Sequence, residues 1–219
     1  MKTALIIGAD EFLGLSLCER LMDEGVHVDV ILAEPEDKTR QLYLEERLMW
    51  LARNGLFQII DEIGEKEYDR ICVQYGSGCL PEERAEPLYW IVYSEDHGDW
   101  EKNGQRDTAK AIILPPLYGP WTEAKEDGES RIFLEDAVCG LMNQLEADGT
   151  EDENQIITLE IKEKTQKTEA EEKIKEWKRQ FSSIFDIFKK YLPCYVHYRY
   201  NKRISIYTCY EFEKGLNMA

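Results

Sequence analysis

The sequence predicts an α/β fold, a parallel sheet carrying helices on both faces, and three observations lead there. Up to about residue 161, short unbroken apolar runs alternate with segments of helical periodicity, the pattern of strands buried on both faces and helices buried on one. Residues 1–34 read as strand, glycine-bounded turn, helix and strand, the length of one right-handed βαβ unit. With 219 residues, 43% of them apolar and 11% aromatic, the chain can fill one domain core and a small appendage.

Each element has its own signal. Thr3–Ile7 is a continuous apolar run, a strand buried on both faces. Gly8–Gly14 is a loop, after which Leu13, Leu17, Leu21 and Met22 recur at helical spacing as far as Gly25, a natural stop. Val26–Leu32 is the second strand and Thr39–Leu51 a helix. Phe57–Ile60 and Arg70–Tyr75 are strands, the latter ended by Gly76-Ser77-Gly78. Leu88–Tyr93 is another buried strand, whereas Asp96–Asp107 is polar, contains glycine and has no period, so a loop is expected. Ala109–Leu114 is a strand that Pro115-Pro116 stops, and Ile132–Leu134 is brief and extended. Asp136–Leu145 sets Val138, Leu141, Met142 and Leu145 on one helical face. The acidic turn Asp148–Asn154 leads into a strand over Gln155–Ile161. These elements make a Rossmann-type, dinucleotide-binding-like domain over residues 1–161. Composition changes at Lys162, and 162–219 form a small C-terminal portion packed on that domain. It holds an amphipathic helix, Thr168–Tyr191, striped by Phe181, Ile184, Phe185 and Phe188, and then a tyrosine-rich hairpin turning near Asn201-Lys202.

Bulk charge narrows the function classes. At −17 and a pI near 4.7, the field of the molecule repels polyanions, which argues against nucleic acid and anionic membrane surfaces as partners. No stretch approaches the roughly 20 apolar residues of a membrane span. The apolar run near the start, Ala4 to Ile7, is too short for an export signal and meets Asp10 and Glu11 at once. The six cysteines (Cys18, Cys72, Cys79, Cys139, Cys194, Cys209) are scattered without paired spacing, which implies a reduced, cytoplasmic setting. His27, His97 and His197 are isolated and suggest no metal site.

The first candidate site is Gly8-Ala9-Asp10-Glu11-Phe12-Leu13-Gly14. In a dinucleotide loop the first glycine permits the tight turn, the middle one admits the pyrophosphate, and the last lets helix pack on strand. Gly8 and Gly14 are in place, but Glu11 occupies the middle position. A carboxylate about 5 Å from one phosphate charge costs on the order of 3 kcal/mol at an effective dielectric of 20, unless Glu11 swings outward. An empty structural turn is therefore at least as good a reading as a cofactor loop.

Further along stand Leu114-Pro115-Pro116-Leu117-Tyr118-Gly119-Pro120-Trp121 and Arg131-Ile132-Phe133-Leu134-Glu135-Asp136-Ala137. Here the chain resembles the extended short-chain dehydrogenase/reductase family, which contains NAD-dependent sugar epimerases and dehydratases. The first segment is similar to the family's RPxxVYGP turn, and the second to the hydrophobic segment with V-x-D-V/A that follows it. GADEFLG resembles the family's GxxGFxG, and Tyr210–Leu216 (YEFEKGL) its late LEEGL helix start.

The resemblance implies an NAD(P) site at Gly8, Glu11, Phe12, Leu13 and Gly14. It also implies an acidic residue ending the second strand, a position that spacing gives to Leu32, with Glu34 two residues on. A serine and a Tyr-x-x-x-Lys helix are implied for catalysis. Ser94 stands as the remnant of the serine, but no tyrosine lies between Ser94 and Pro115, and the interval is too short for the long helix. Tyr198 and Lys202 have the right spacing but lie beyond the YGP turn and are assigned no role. Asp96-His97-Gly98-Asp99 after Ser94 is a weaker candidate for a Ser/His/Asp set.

Three departures, at positions 11 and 32 and in the missing helix, favour a catalytically inactive binding protein with no cofactor or weak NAD(P) binding. Its partner would be a protein or a small molecule. The alternative is a divergent NAD(P)-dependent oxidoreductase or sugar-nucleotide epimerase/dehydratase taking its acid/base from Tyr75 or Tyr118. The catalytic helix also builds the family's usual dimer interface, so the oligomeric state is left open.

Overall fold

Strand β1 (Thr3–Ala9) lies in the interior of a seven-stranded parallel sheet, third from one edge, and its sequence explains why: all but its first residue are buried. The structure, a computed structural model, describes residues 1–35, 37–78, 88–103, 109–121, 131–147, 156–161 and 164–181. In chain order, β1 is followed by α1 (Leu13–Asp23), β2 (His27–Leu32), α2 (Lys38–Leu51), β3 (Phe57–Ile59), β4 (Arg70–Gln74) and β5 (Leu88–Tyr93). Then come α3 (His97–Asn103), β6 (Ala109–Leu114), β7 (Leu117–Tyr118), β8 (Ile132–Phe133), α4 (Leu134–Glu146) and β9 (Ile156–Thr158). A further helix, α5, covers residues 167–181.

The strand order is β3-β2-β1-β4-β5-β6-β9, and β7 pairs with β8 in a separate two-stranded sheet. Registers such as Thr3↔His27 and Ala4↔Arg70 place β2 and β4 on either side of β1. Alternation along the strands supplies two apolar layers. Ala4 and Ile6 join Leu17, Leu21, Leu141 and Leu145 of α1 and α4 on one face. Leu5 and Ile7 join Val73, Trp90, Val92 and Ile113 on the other. The Rossmann-type sheet with helices on both faces is thus as the sequence predicts.

Local chemistry fixes the helix ends. Asp37 caps α2 by accepting the N–H groups of Thr39 (2.7 Å) and Arg40 (2.9 Å). The expected loop over Asp96–Asp107 is corrected, because α3 lies within it. The Asp96 carbonyl accepts the N–H groups of Asp99 and Trp100, and Trp100 is buried in the same apolar layer as Trp90. One anchored indole holds a polar segment whose sequence shows no period, so tertiary contact overrides local signal. The last strand, β9, is shorter than the expected Gln155–Ile161, and β7 is a strand where a turn is expected. The hairpin, His197, Tyr198, Lys202 and Tyr210–Leu216 lie outside the described residues.

The chain divides into two compact units, Met1–Lys173 and Ile174–Ala219. In the second, residues 174–181 are described; they are helical and bring the rings of Trp177 and Phe181 to 6.2 Å. Among the described residues no helix is long and apolar enough to cross a membrane.

Because Leu141 is fully buried between α4 and its neighbours, Leu141→Ala should cost about 2–5 kcal/mol. Met49→Ala, at a position 45% exposed on α2, should change stability by no more than about 0.5 kcal/mol. Urea denaturation midpoints of the two variants check the contrast.

Candidate functional site

Strand order reverses direction between β1 and β4, and in such sheets a crevice opens at the carboxyl ends of the strands. A cleft of about 530 Å³ lies there, formed by the segments after β1, β2, β4 and β5 with Pro116, Leu117 and Arg131. Its volume falls in the roughly 300–1,000 Å³ range of small-molecule sites. Of the residues singled out from sequence, Glu11, Phe12, Glu34, Tyr75 and Asp96 line it. Gly8, Leu13 and Gly14 build the turn beneath. Ser94 is exposed and outside the lining, while its neighbours Tyr93 and Glu95 belong to it.

The two retained glycines have work to do without any ligand. Gly8 has φ +76°, and a Cβ there would stand 2.1 Å from the Ser77 hydroxyl oxygen. A Cβ on Gly14 would come within 2.5 Å of the Ala9 Cα, an unyielding backbone atom. The turn and the helix-on-strand contact therefore demand glycine at both positions. The middle position, which a dinucleotide needs open, holds Glu11.

Asp10 and Glu11 shape the turn. The Asp10 carboxylate accepts the N–H groups of Phe12 (3.2 Å) and Gly14 (2.7 Å) with one oxygen and the Gln74 amide (2.8 Å) with the other. A side chain of the loop itself thus takes two N–H groups at the start of α1, where an external anion would otherwise be drawn. Glu11 is only 3% exposed and accepts a hydrogen bond from Arg40 Nε, while Arg40 Nη2 lies 3.6 Å from Asp10. Burial pushes the Glu11 carboxyl above its ordinary range, against the lowering effect of the Arg40 bond. Glu11 does not swing away from the loop; α2 holds it in place.

A second arginine of α2 completes the clamp. Arg47 is 2% exposed and donates to the carbonyls of Glu11 (2.8 Å) and Phe12 (3.1 Å), the Ser16 hydroxyl (3.0 Å) and Glu19 (2.6 Å). Its guanidinium carbon also sits 5.3 Å from the ring of Trp121, which meets Tyr43 edge to face at 5.7 Å. Trp121 has φ +66°, a left-handed conformation that a bulky residue adopts only when its surroundings impose it. Neither arginine is foreseen from the sequence. Their spacing of seven, which returns to one helix face, is the signal that could have found them.

Of the candidate acid/base groups, Tyr75 lines the cleft and Tyr118 does not. Tyr75 donates to Asp99 at 2.7 Å, and that bond holds its phenol pKa above the ordinary value. Burial, with Asp10 nearby, pushes the Tyr93 phenol up well beyond the ordinary value. Both shifts run opposite to that of a tyrosine activated by a lysine. Tyr118 packs on Phe133 with ring centroids 5.5 Å apart and lies outside the cleft lining. With Asp99 bonded to Tyr75 and His97 stacked on Trp100 at 6.3 Å, the Ser94/His97/Asp set is not assembled. Asp136 accepts the N–H (2.8 Å) and hydroxyl (2.6 Å) of Thr165, a structural tie. His27 is exposed at the start of β2, and no three potential metal ligands converge among the described residues.

The fold recurs among solved enzyme structures. The Bordetella bronchiseptica enzyme WbmH, solved in complex with NAD+, matches with a TM-score of 0.52 at 10% identity, over 83% of this chain and 99% of that one. Vestitone reductase from alfalfa gives 0.52 at 8%, over 83% and 99%. UDP-glucuronic acid 4-epimerase from Bacillus cereus, solved with NAD, gives 0.51 at 16%, over 74% and 78%. At such identities the likeness concerns the fold alone. No known family's sequence profile matches the chain. Sequence kinship is nevertheless clear: the chain is 52% identical over 186 residues to the uncharacterized protein YjaV of Bacillus subtilis (strain 168), spanning 85% of this chain and 99% of that protein. It belongs to the YjaV family.

Two outcomes follow from the clamp. Arg47→Met strands two loop carbonyls and Glu19, and should cost about 3 kcal/mol in chemical denaturation. Glu11 has a folded pKa above its ordinary 4.5, so its contribution is greatest below about pH 4.5 and is lost as pH rises through the raised value. Glu11→Gln, neutral throughout, should therefore gain on the native protein between pH 4.5 and 7 in a pH series of urea titrations.

Proposed function

We propose that this protein is a non-catalytic descendant of the extended dehydrogenase/reductase architecture that acts by binding and has given up the dinucleotide. The observation that carries this reading is the buried Glu11–Arg40 pair at the middle-glycine position, beside an Asp10 carboxylate that already takes the Phe12 and Gly14 N–H groups. A pyrophosphate at this turn would meet two carboxylates and find those donors occupied. Leu32, at the end of β2, has no hydrogen-bonding side chain to offer a ribose. In the interval that would carry a Tyr-x-x-x-Lys helix stands α3, seven residues without a tyrosine and anchored by Trp100. The open cleft supports retention of a small-molecule site rather than a purely structural role. The unpaired thiols Cys18 and Cys72, the latter pushed up to about 12 by burial, suit a reducing, cytoplasmic compartment.

Calorimetric titration with NAD+, NADH, NADP+ and NADPH tests the reading. The native protein should give no binding heat at micromolar concentrations. Glu11→Gly should gain affinity by on the order of a hundredfold, the weight of one carboxylate near a phosphate at an effective dielectric of about 20. Micromolar binding by the native protein, or turnover of NAD(P)H with a sugar nucleotide, would overturn it.

A further inference from the structure

We propose that residues 60–69 form a strap that opens and recloses while the sheet stays folded, with Asp29 as its latch. These residues carry the chain from β3 to β4, which the strand order β3-β2-β1-β4 keeps three places apart, so the segment must cross β2 and β1. Crossings between parallel strands usually hold a helix. This one contains neither helix nor strand. Its sequence, Asp61-Glu62-Ile63-Gly64-Glu65-Lys66-Glu67-Tyr68-Asp69, has no apolar period and a central glycine, so nothing local favours a helix there.

Hydrogen bonds fasten the strap at its ends and, between them, to Asp29. The Ile60 N–H donates to the Val30 carbonyl (2.9 Å), and the Asp69 N–H to the Thr3 hydroxyl (3.1 Å). The Lys66 ammonium (2.8 Å) and the Tyr68 hydroxyl (2.7 Å) both donate to one oxygen of Asp29. Asp29 is 5% exposed and stands opposite Leu5 in the parallel register. It is thus a carboxylate on the face of the sheet whose apolar layer, with Leu5 and Ile7, is joined by Ile60, Ile63 and Tyr68 of the strap.

A buried carboxylate needs donors, and the strap supplies both of those just named. When the strap lifts, water reaches Asp29 and Lys66 alike. No charge is left stranded, so parting this pair costs far less than deleting one member of it. The Lys66 side chain is already 44% exposed. The other charges of the strap favour lifting. Asp61, Glu62, Glu65, Glu67 and Asp69 are exposed carboxylates on a chain of net charge −17, and Lys66 is the one cation among residues 60–69. Like charges crowded on one segment repel each other and the acidic body beneath. The latch therefore works against a standing load, and when it yields Ile63 and Tyr68 leave the apolar layer.

The test is chymotrypsin cleavage of the full chain after Tyr68, read by mass spectrometry in urea rising from zero to about 1 M. Each rate is divided by that of a free peptide of residues 63–73, which removes effects on the protease. Tyr68 is 9% exposed, so cutting there requires the strap to lift. In the native protein the rate should change little with urea, as a local opening does, whereas cleavage through global unfolding rises steeply. Asp29→Asn should speed it at least about tenfold, and Lys66→Met about threefold. Leu141→Ala weakens the core on the other face of the sheet and should leave the rate within about twofold. The proposal fails if the native chain is cut only with the steep urea dependence. It fails equally if neither Asp29→Asn nor Lys66→Met exceeds the effect of Leu141→Ala. Should Asp29→Asn not fold, Lys66→Met, at a half-exposed position, decides alone.

Discussion

Burying a guanidinium costs several kcal/mol unless its N–H groups find oxygens, and the two terminal nitrogens of Arg47 find them by tying four parts of the molecule together, while its Nε has no acceptor among the described residues. Its donors reach the Glu11 and Phe12 carbonyls in the β1–α1 turn, the Ser16 hydroxyl and Glu19 on α1, while its face lies against Trp121 beyond β7. Helix α2 is thereby fastened to the turn. Once α2 is fixed, Arg40, two turns earlier on the same face, has little choice of partner, and Glu11 and Asp10 are within its reach. The charge pattern of the cleft floor follows from where Arg47 is anchored.

This arrangement separates two demands that a dinucleotide loop ordinarily combines. The turn must reverse the chain and let α1 lie on β1, which needs Gly8 and Gly14 whatever is bound. The ligand must also approach the backbone, which needs the middle glycine only when a pyrophosphate is present. A chain released from the second demand keeps the outer glycines because the fold fails without them. Its middle position is then free to acquire a carboxylate, provided a cation such as Arg40 meets it.

How much of this was legible follows from which signals are local. The strands β1, β4, β5 and β6 announce themselves as unbroken apolar runs, and the turn between β1 and α1 stands where Gly8 and Gly14 mark it. Glu11 was legible as an obstacle because a charge at a phosphate loop is a local fact. The short helix α3 was not, since its one buried anchor, Trp100, acts through contact with the sheet and leaves no period in the sequence. Arg40 and Arg47 were missed because a charged residue on a helix is solvated unless something distant claims it. The roles of Asp10 and Gln74, residues brought together from β1 and β4, exist only in the parallel register.

The cleft's character also shows why an inherited fold does not fix an inherited ligand. Sheet topology guarantees a crevice where β1 and β4 diverge, but what enters depends on the sign of the groups at its rim. A pyrophosphate site draws its anion with exposed N–H groups and the positive end of α1. Here Asp10 takes two of those N–H groups from within, and Glu11, Glu34, Glu95 and Asp96 line the cleft against Arg40 and Arg131. What lines the crevice is thus decided by side chains on the loops after β1, β2 and β5, not by the backbone that makes it.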